Sequence, residues 1–127
     1  MVLVTGFIQF QIYGLVKEMS DINPNEAIEF IYKNAPKYAK AKAERAYLEQ
    51  FRKSKKAILV MASNEKTALD KESSAYAHSD YIELLDAYKT AIEIEESLRW
   101  QLVAAQARVE IWRTNSANNR AMDGAAR

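Results

Sequence analysis

Cysteine is absent from the 127 residues, and glycine, proline and histidine are scarce, with three, two and one of each. No cysteine means no disulfide framework, no thiolate metal site and no thiol nucleophile. It is also consistent with a cytoplasmic setting. So few glycines and prolines leave little material for the turns of an all-β fold. A single histidine, His78, excludes a His–His metal pair and leaves no second imidazole for catalysis. The sequence also lacks a glycine-rich phosphate loop, a Ser-His-Asp set and the Glu-x-x-His pattern of di-metal bundles, so no cofactor or enzyme chemistry is implied.

What remains is rich in helix formers. From Asp80 to about Ser116, steps of three and four residues give Tyr81, Leu84, Tyr88, Ala91, Glu95, Leu98, Leu102, Ala105, Val109, Trp112 and Ser116, of which nine are apolar. That seam is the heptad signature of a helix packed along its length against others. At about 1.5 Å per residue the helix is roughly 55 Å long. Ahead of it, Asn23-Pro24-Asn25-Glu26 reads as a helix start, and Pro36 predicts a break after Asn34-Ala35. A second helix from Pro36 to Ala62 carries an apolar line through Tyr38, Ala41, Leu48, Phe51, Ile58 and Met61, widened by Tyr47 and Leu59. Asn64 reads as the cap of a polar third helix, Glu65 to about Ala77, and Ser79 or Asp80 as the cap of the long fourth. The prediction is an all-α fold: an elongated antiparallel helical hairpin or bundle of about four helices, the last very long.

Residues 1–18 do not match this pattern. They are apolar, lack a basic n-region and a cleavage site, and are too interrupted to span a bilayer comfortably. They read as an extension before Met19, or as a segment that packs on the bundle or a partner. Residues 19–127 then form one helical domain, with 115–127 a frayed tail.

Charge is near balance overall but not locally. Lys33, Lys37, Lys40, Lys42, Arg45, Arg52, Lys53, Lys55 and Lys56 face only Glu44 and Glu49, a net of +7, whereas Asn64–Glu96 carries a net of −6. Either the two stretches lie side by side and set register, or the basic stretch engages nucleic acid. Glu95, the one charge on the seam, is placed to pair with Arg99 four residues on. His78 reads as a helix–helix corner.

A third feature is the Trp/Arg segment, where Arg99, Trp100, Arg108, Trp112 and Arg113 gather the residue types that dominate interfaces and stack on single-stranded nucleic acid. Arg108 can lie over Trp112, which the seam makes a core residue. Trp100 lies off the seam and is the better candidate for contact with a partner.

The stretch Ala75-Tyr76-Ala77-His78-Ser79-Asp80-Tyr81, the mid-helix Leu98-Arg99-Trp100 and the terminal Arg108-Val109-Glu110-Ile111-Trp112-Arg113 resemble small all-helical phage and prophage proteins. The resemblance covers about residues 75–120. It implies a bacterial virus or mobile-element origin and a role near DNA replication, recombination or evasion of host defence. It supplies no catalytic residues. The reading is therefore a non-enzymatic accessory protein, acting on DNA or a DNA-processing complex through the basic helix. The alternative is an inhibitor or scaffold directed at a host protein through the acidic stretch or the Trp/Arg segment. Surplus apolar surface on the long helix suggests a homodimer, and no membrane role is expected.

Overall fold

The computed structural model describes Gly6, Gln9, Gln11 and residues 22–126. Gly6, Gln9 and Gln11 are helical and exposed. The reading of residues 1–18 as an extension otherwise lies outside the described residues. From residue 22 on, three helices account for nearly all of the chain: α1 (Pro24–Ala62), α2 (Ala68–Ala77) and α3 (Ser79–Ala125). The fold is all-α, and the last helix is very long. No helix among the described residues is long and apolar enough to cross a membrane.

From residue 22 on, three helices stand where four were expected. Pro36 lies inside α1 instead of opening a new helix. A proline in a helix interior removes one backbone hydrogen bond and crowds the preceding turn, at a cost of about 3 kcal/mol. The helix-forming run Tyr38-Ala39-Lys40-Ala41 follows at once, with Ala41 buried and Tyr38 half-buried, so propensity and packing carry the helix through.

Local chemistry fixes the other ends. The Asn23 side chain accepts a hydrogen bond from the Asn25 N–H at 3.0 Å, as an N-cap should. The cap of α2 is Thr67, not Asn64: its hydroxyl accepts from the Asp70 N–H at 3.1 Å, so the helix starts at Ala68. His78 then serves two helices. Its backbone N–H closes α2 on the Ala75 carbonyl at 3.2 Å, and its Nδ1 accepts the Asp80 N–H at 3.0 Å. The cap of α3 is therefore His78 in place of Ser79 or Asp80. Past Ser116 the apolar period stops, yet the helix continues to Ala125. With no glycine or proline before Gly124, nothing in Ala117–Asp123 breaks it.

Two compact units partition the chain, one made of Asn34–Trp100 and the other of residues up to Lys33 with those from Gln101 on. Within Asn34–Trp100, the α3 seam is as spaced: Tyr81, Ala91 and Glu95 are buried, and Leu84, Tyr88 and Leu98 half-buried. Partners on α1 descend along α3 as they ascend along α1. Arg45 bonds Glu95, the Arg52 guanidinium lies 5.8 Å from the Tyr88 ring centroid, and Lys55 is 3.6 Å from Asp80.

The inward line of α1 differs from the predicted one. It runs through Asn34, Tyr38, Ala41, Arg45, Leu48, Arg52, Lys55 and Leu59, all buried or half-buried at heptad spacing. Tyr47, Ile58 and Met61 are instead 61%, 54% and 87% exposed. Apolarity does not mark the inward face here: three cations occupy inward positions because their carboxylate and tyrosine partners stand opposite. The core is correspondingly lean: among the described residues the buried apolar side chains are alanines and Tyr81, and no large side chain is fully buried.

In the other unit, Ala27 and Ala105 are buried, and Phe30, Ile31, Leu102 and Val109 half-buried. Small side chains leave an open depression there, lined in part by Glu26, Phe30, Ala104 and Arg108. Trp112, expected in the core, is 42% exposed. The Trp112 indole instead borders a shallow surface depression with Ser116 and Arg120.

Candidate nucleic-acid interface

Eight of the nine cations of the basic stretch divide into two sets, and the ninth, Lys33, stands apart. Arg45 is the most committed of the inward set. Its guanidinium donates to Glu95, the only buried charged residue among those described, and to Glu49 at 2.9 Å. The hydrogen bond it donates to Glu95 pushes the arginine above its ordinary range. Arg52 is half-buried against Tyr88, and Lys55 faces Asp80. Lys56 donates to Glu72 at 2.6 Å and lies 4.5 Å from the Tyr76 ring centroid. Those contacts, Glu72 foremost, raise its pKa well above the usual lysine value.

Lys37, Lys40, Lys42 and Lys53 form the outward set. All four are exposed, and none has an ion-pair partner among the described residues. Lys33 is exposed too, but it pairs with Glu29 one turn earlier at 2.8 Å and holds that carboxyl below its ordinary range. Helical spacing separates the outward four. Glu44 shares the Lys37–Lys40 face. Lys42 and Lys53 stand eleven residues (three turns) apart, on the side that also carries Lys56.

The Trp/Arg segment is also divided. Arg99 does not reach Glu95. It donates twice to Glu96 Oε2, at 2.8 and 3.2 Å, and stacks its guanidinium 4.8 Å from the Trp100 ring centroid. The reason is geometric: Glu95 faces α1, where Arg45 takes it, and Glu96 is the carboxylate left on the Arg99 side. Arg99 holds Glu96 below the usual carboxylate range and is itself raised by it. Trp100 remains 59% exposed. Arg108 and Arg113 belong to the other unit. There Arg113 pairs with Glu110 at 2.8 Å, while Arg108 makes no ring contact with Trp112 and lines the depression beside Ala104.

Two tyrosines that the charge pattern did not single out belong to the basic region. Tyr76 and Tyr81 meet edge-to-face at 5.4 Å, and with Arg52, Lys53 and Lys56 they line one depression. The signal was present in the spacing of Glu72 and Tyr76, one α2 turn apart and so on one face. Among the described residues no group of three or more His, Asp or Glu is placed to hold a metal ion. No protein-family model, curated protein or solved structure matches the chain.

Proposed function

We propose that this chain is a non-enzymatic, phage-type accessory protein that binds DNA or a DNA-processing complex through α1. One observation carries the reading. After Glu95, Asp80 and Glu72 have taken Arg45, Lys55 and Lys56, four lysines on the same helix remain exposed with no ion-pair partner among the described residues. Phosphates are the natural partners of such a set, through counterion release. The descending order of α1–α3 contacts supports antiparallel pairing of these two helices, with the acids of α3 fixing register. Exposed Tyr47, Ile58 and Met61 support self-association as a homodimer.

The second reading is an interaction module directed at a host protein. Trp100, exposed with Arg99 stacked on it, favours that alternative, because such pairs anchor protein interfaces.

Titration of labelled single- and double-stranded DNA at two salt concentrations separates the readings. On the DNA reading, affinity falls steeply with salt, and replacing Lys37, Lys40, Lys42 and Lys53 by Gln weakens binding by at least about tenfold while flattening the salt slope. No binding at low salt overturns it and turns attention to a protein partner.

A further inference from the structure

The depression lined by Arg52, Lys53, Lys56, Tyr76 and Tyr81 draws residues from all three helices of the Asn34–Trp100 unit. Three of them are cations within little more than one turn of α1. Only Lys56 has a carboxylate partner, Glu72; among the described residues neither Arg52 nor Lys53 pairs with an acid. Arg52 is half-buried with its guanidinium over Tyr88, which orients the group while leaving its N–H donors without a carboxylate. A guanidinium held in this way suits the planar, two-point recognition of a phosphate. Lys53 adds a mobile point charge beside it. Tyr76 brings a different chemistry. Its ring is met edge-to-face by Tyr81 and carries Lys56 Nζ 4.5 Å from its centroid, while the residue as a whole is 45% exposed, so a flat, apolar-faced group can rest on the part of the ring that Lys56 leaves open.

We propose that this depression holds one nucleotide unit, its phosphate on Arg52 and Lys53 and its base against the Tyr76 ring. The inference rests on the nucleic-acid reading above and sharpens it. It assigns the contact to a single strand, whose bases are free to stack, in place of a duplex, whose bases are not. A nucleotide unit is supplied either by a strand or by a free mononucleotide, so both enter the test.

The full chain is titrated with fluorescein-labelled oligothymidine, with the corresponding duplex and with thymidine monophosphate, binding of the last being followed by NMR. Lys53→Ala and Tyr76→Leu are compared with a Lys37→Ala/Lys40→Ala control, and thermal melts establish that each variant folds. Lys53 is exposed, so its variant keeps the test decisive even if Tyr76→Leu unfolds. Loss of about tenfold in single-strand affinity for Lys53→Ala and Tyr76→Leu, well beyond whatever each loses for the duplex, supports the assignment. If both variants bind the strand like the parent while the Lys37/Lys40 control does not, the depression is excluded and the broader DNA reading stands. If the parent binds no DNA, the broader reading fails. Thymidine monophosphate shifts confined to Lys53 and Tyr76 then keep the depression as a mononucleotide site, and their absence overturns it as well.

Discussion

On α1, Arg45, Lys55 and Lys56 meet carboxylates of α2 and α3, whereas Lys37, Lys40, Lys42 and Lys53, from the same basic run, meet water. The difference is one of phase. Arg45 and Lys55 fall on the heptad line that faces α3, the exposed lysines fall off it, and Lys56, equally off it, is paired because Glu72 of α2 stands opposite. A net charge of +7 along a helix is thus no single property. Part of it is consumed in specifying which helix lies alongside and in what register, and only the remainder is available to a partner. The inward set also explains the lean core, because cations with long apolar stems stand where larger apolar side chains would otherwise interdigitate.

The most direct way to break this comparison is to remove the acid that Arg45 depends on. Glu95 is 6% exposed, so Glu95→Gln leaves Arg45 facing the seam without its main counter-charge. Stranding one partner of a buried pair is costly, although Glu49 offsets part of it, and a fall in Tm of about 10 °C is expected. A double change, Arg45→Met with Glu95→Leu, should recover most of that loss, since two apolar groups of similar volume need no counter-charge. A thermal melt of Glu95→Gln that overlays the parent would show that the inward cations do not hold the helices together.

How much of this was legible beforehand follows from the same phase argument. The α3 seam was readable because its apolar residues and its structural period coincide. Ten of its eleven positions, Tyr81 through Ser116 with Trp112 excepted, are buried or half-buried. The α1 line is not readable in the same way, because apolarity and burial part company there: Ile58 and Met61 face out while Arg52 and Lys55 face in. No rule of hydrophobic alternation finds a cation facing inward; only its partner on another helix reveals it. The Pro36 break failed for a related reason, since a local penalty was outweighed by packing and propensity further along. Similarly, the depression around Tyr76 needed three helices to be brought together, and a one-dimensional pattern does not show that.

A smaller effect is expected at the corner that sets where Asp80 meets Lys55. His78 Nδ1 accepts the Asp80 N–H, and His78→Ala leaves that donor of the first α3 turn without its cap. Losing an N-cap costs about 1 kcal/mol, a drop of a few degrees in Tm, and His78→Asn should restore most of it because Asn is itself a favoured cap. If Ala and Asn melt alike, the imidazole does not act as a cap, and the register of Lys55 against Asp80 is set by α3 packing alone.

The smallest expected effect lies at Glu96 and Arg99, and its pH dependence has a definite sign. Arg99 depresses the Glu96 carboxyl, so the folded chain releases that proton at lower pH than the unfolded chain does. The resulting stabilisation is fully present above the ordinary glutamate pKa of about 4.3 and is lost as pH falls through the folded value. Both side chains are nearly half exposed, so solvent screens most of it, and the Tm difference between parent and Glu96→Gln at neutral pH should stay within about 2 °C. The variant should show a shallower acid slope, and high salt should erase the difference. Arg45 and Lys56 behave in the opposite sense. Their pKa values are raised, so their own titration removes stability only at strongly alkaline pH. A melt series from neutral to alkaline pH should therefore leave the Glu96→Gln difference constant, since Arg99 is itself raised above its ordinary range and stays charged. A Glu96→Gln difference that instead grows with acidification would mean that the pair opposes folding, and that Arg99 is held in place by Trp100 rather than by its carboxylate.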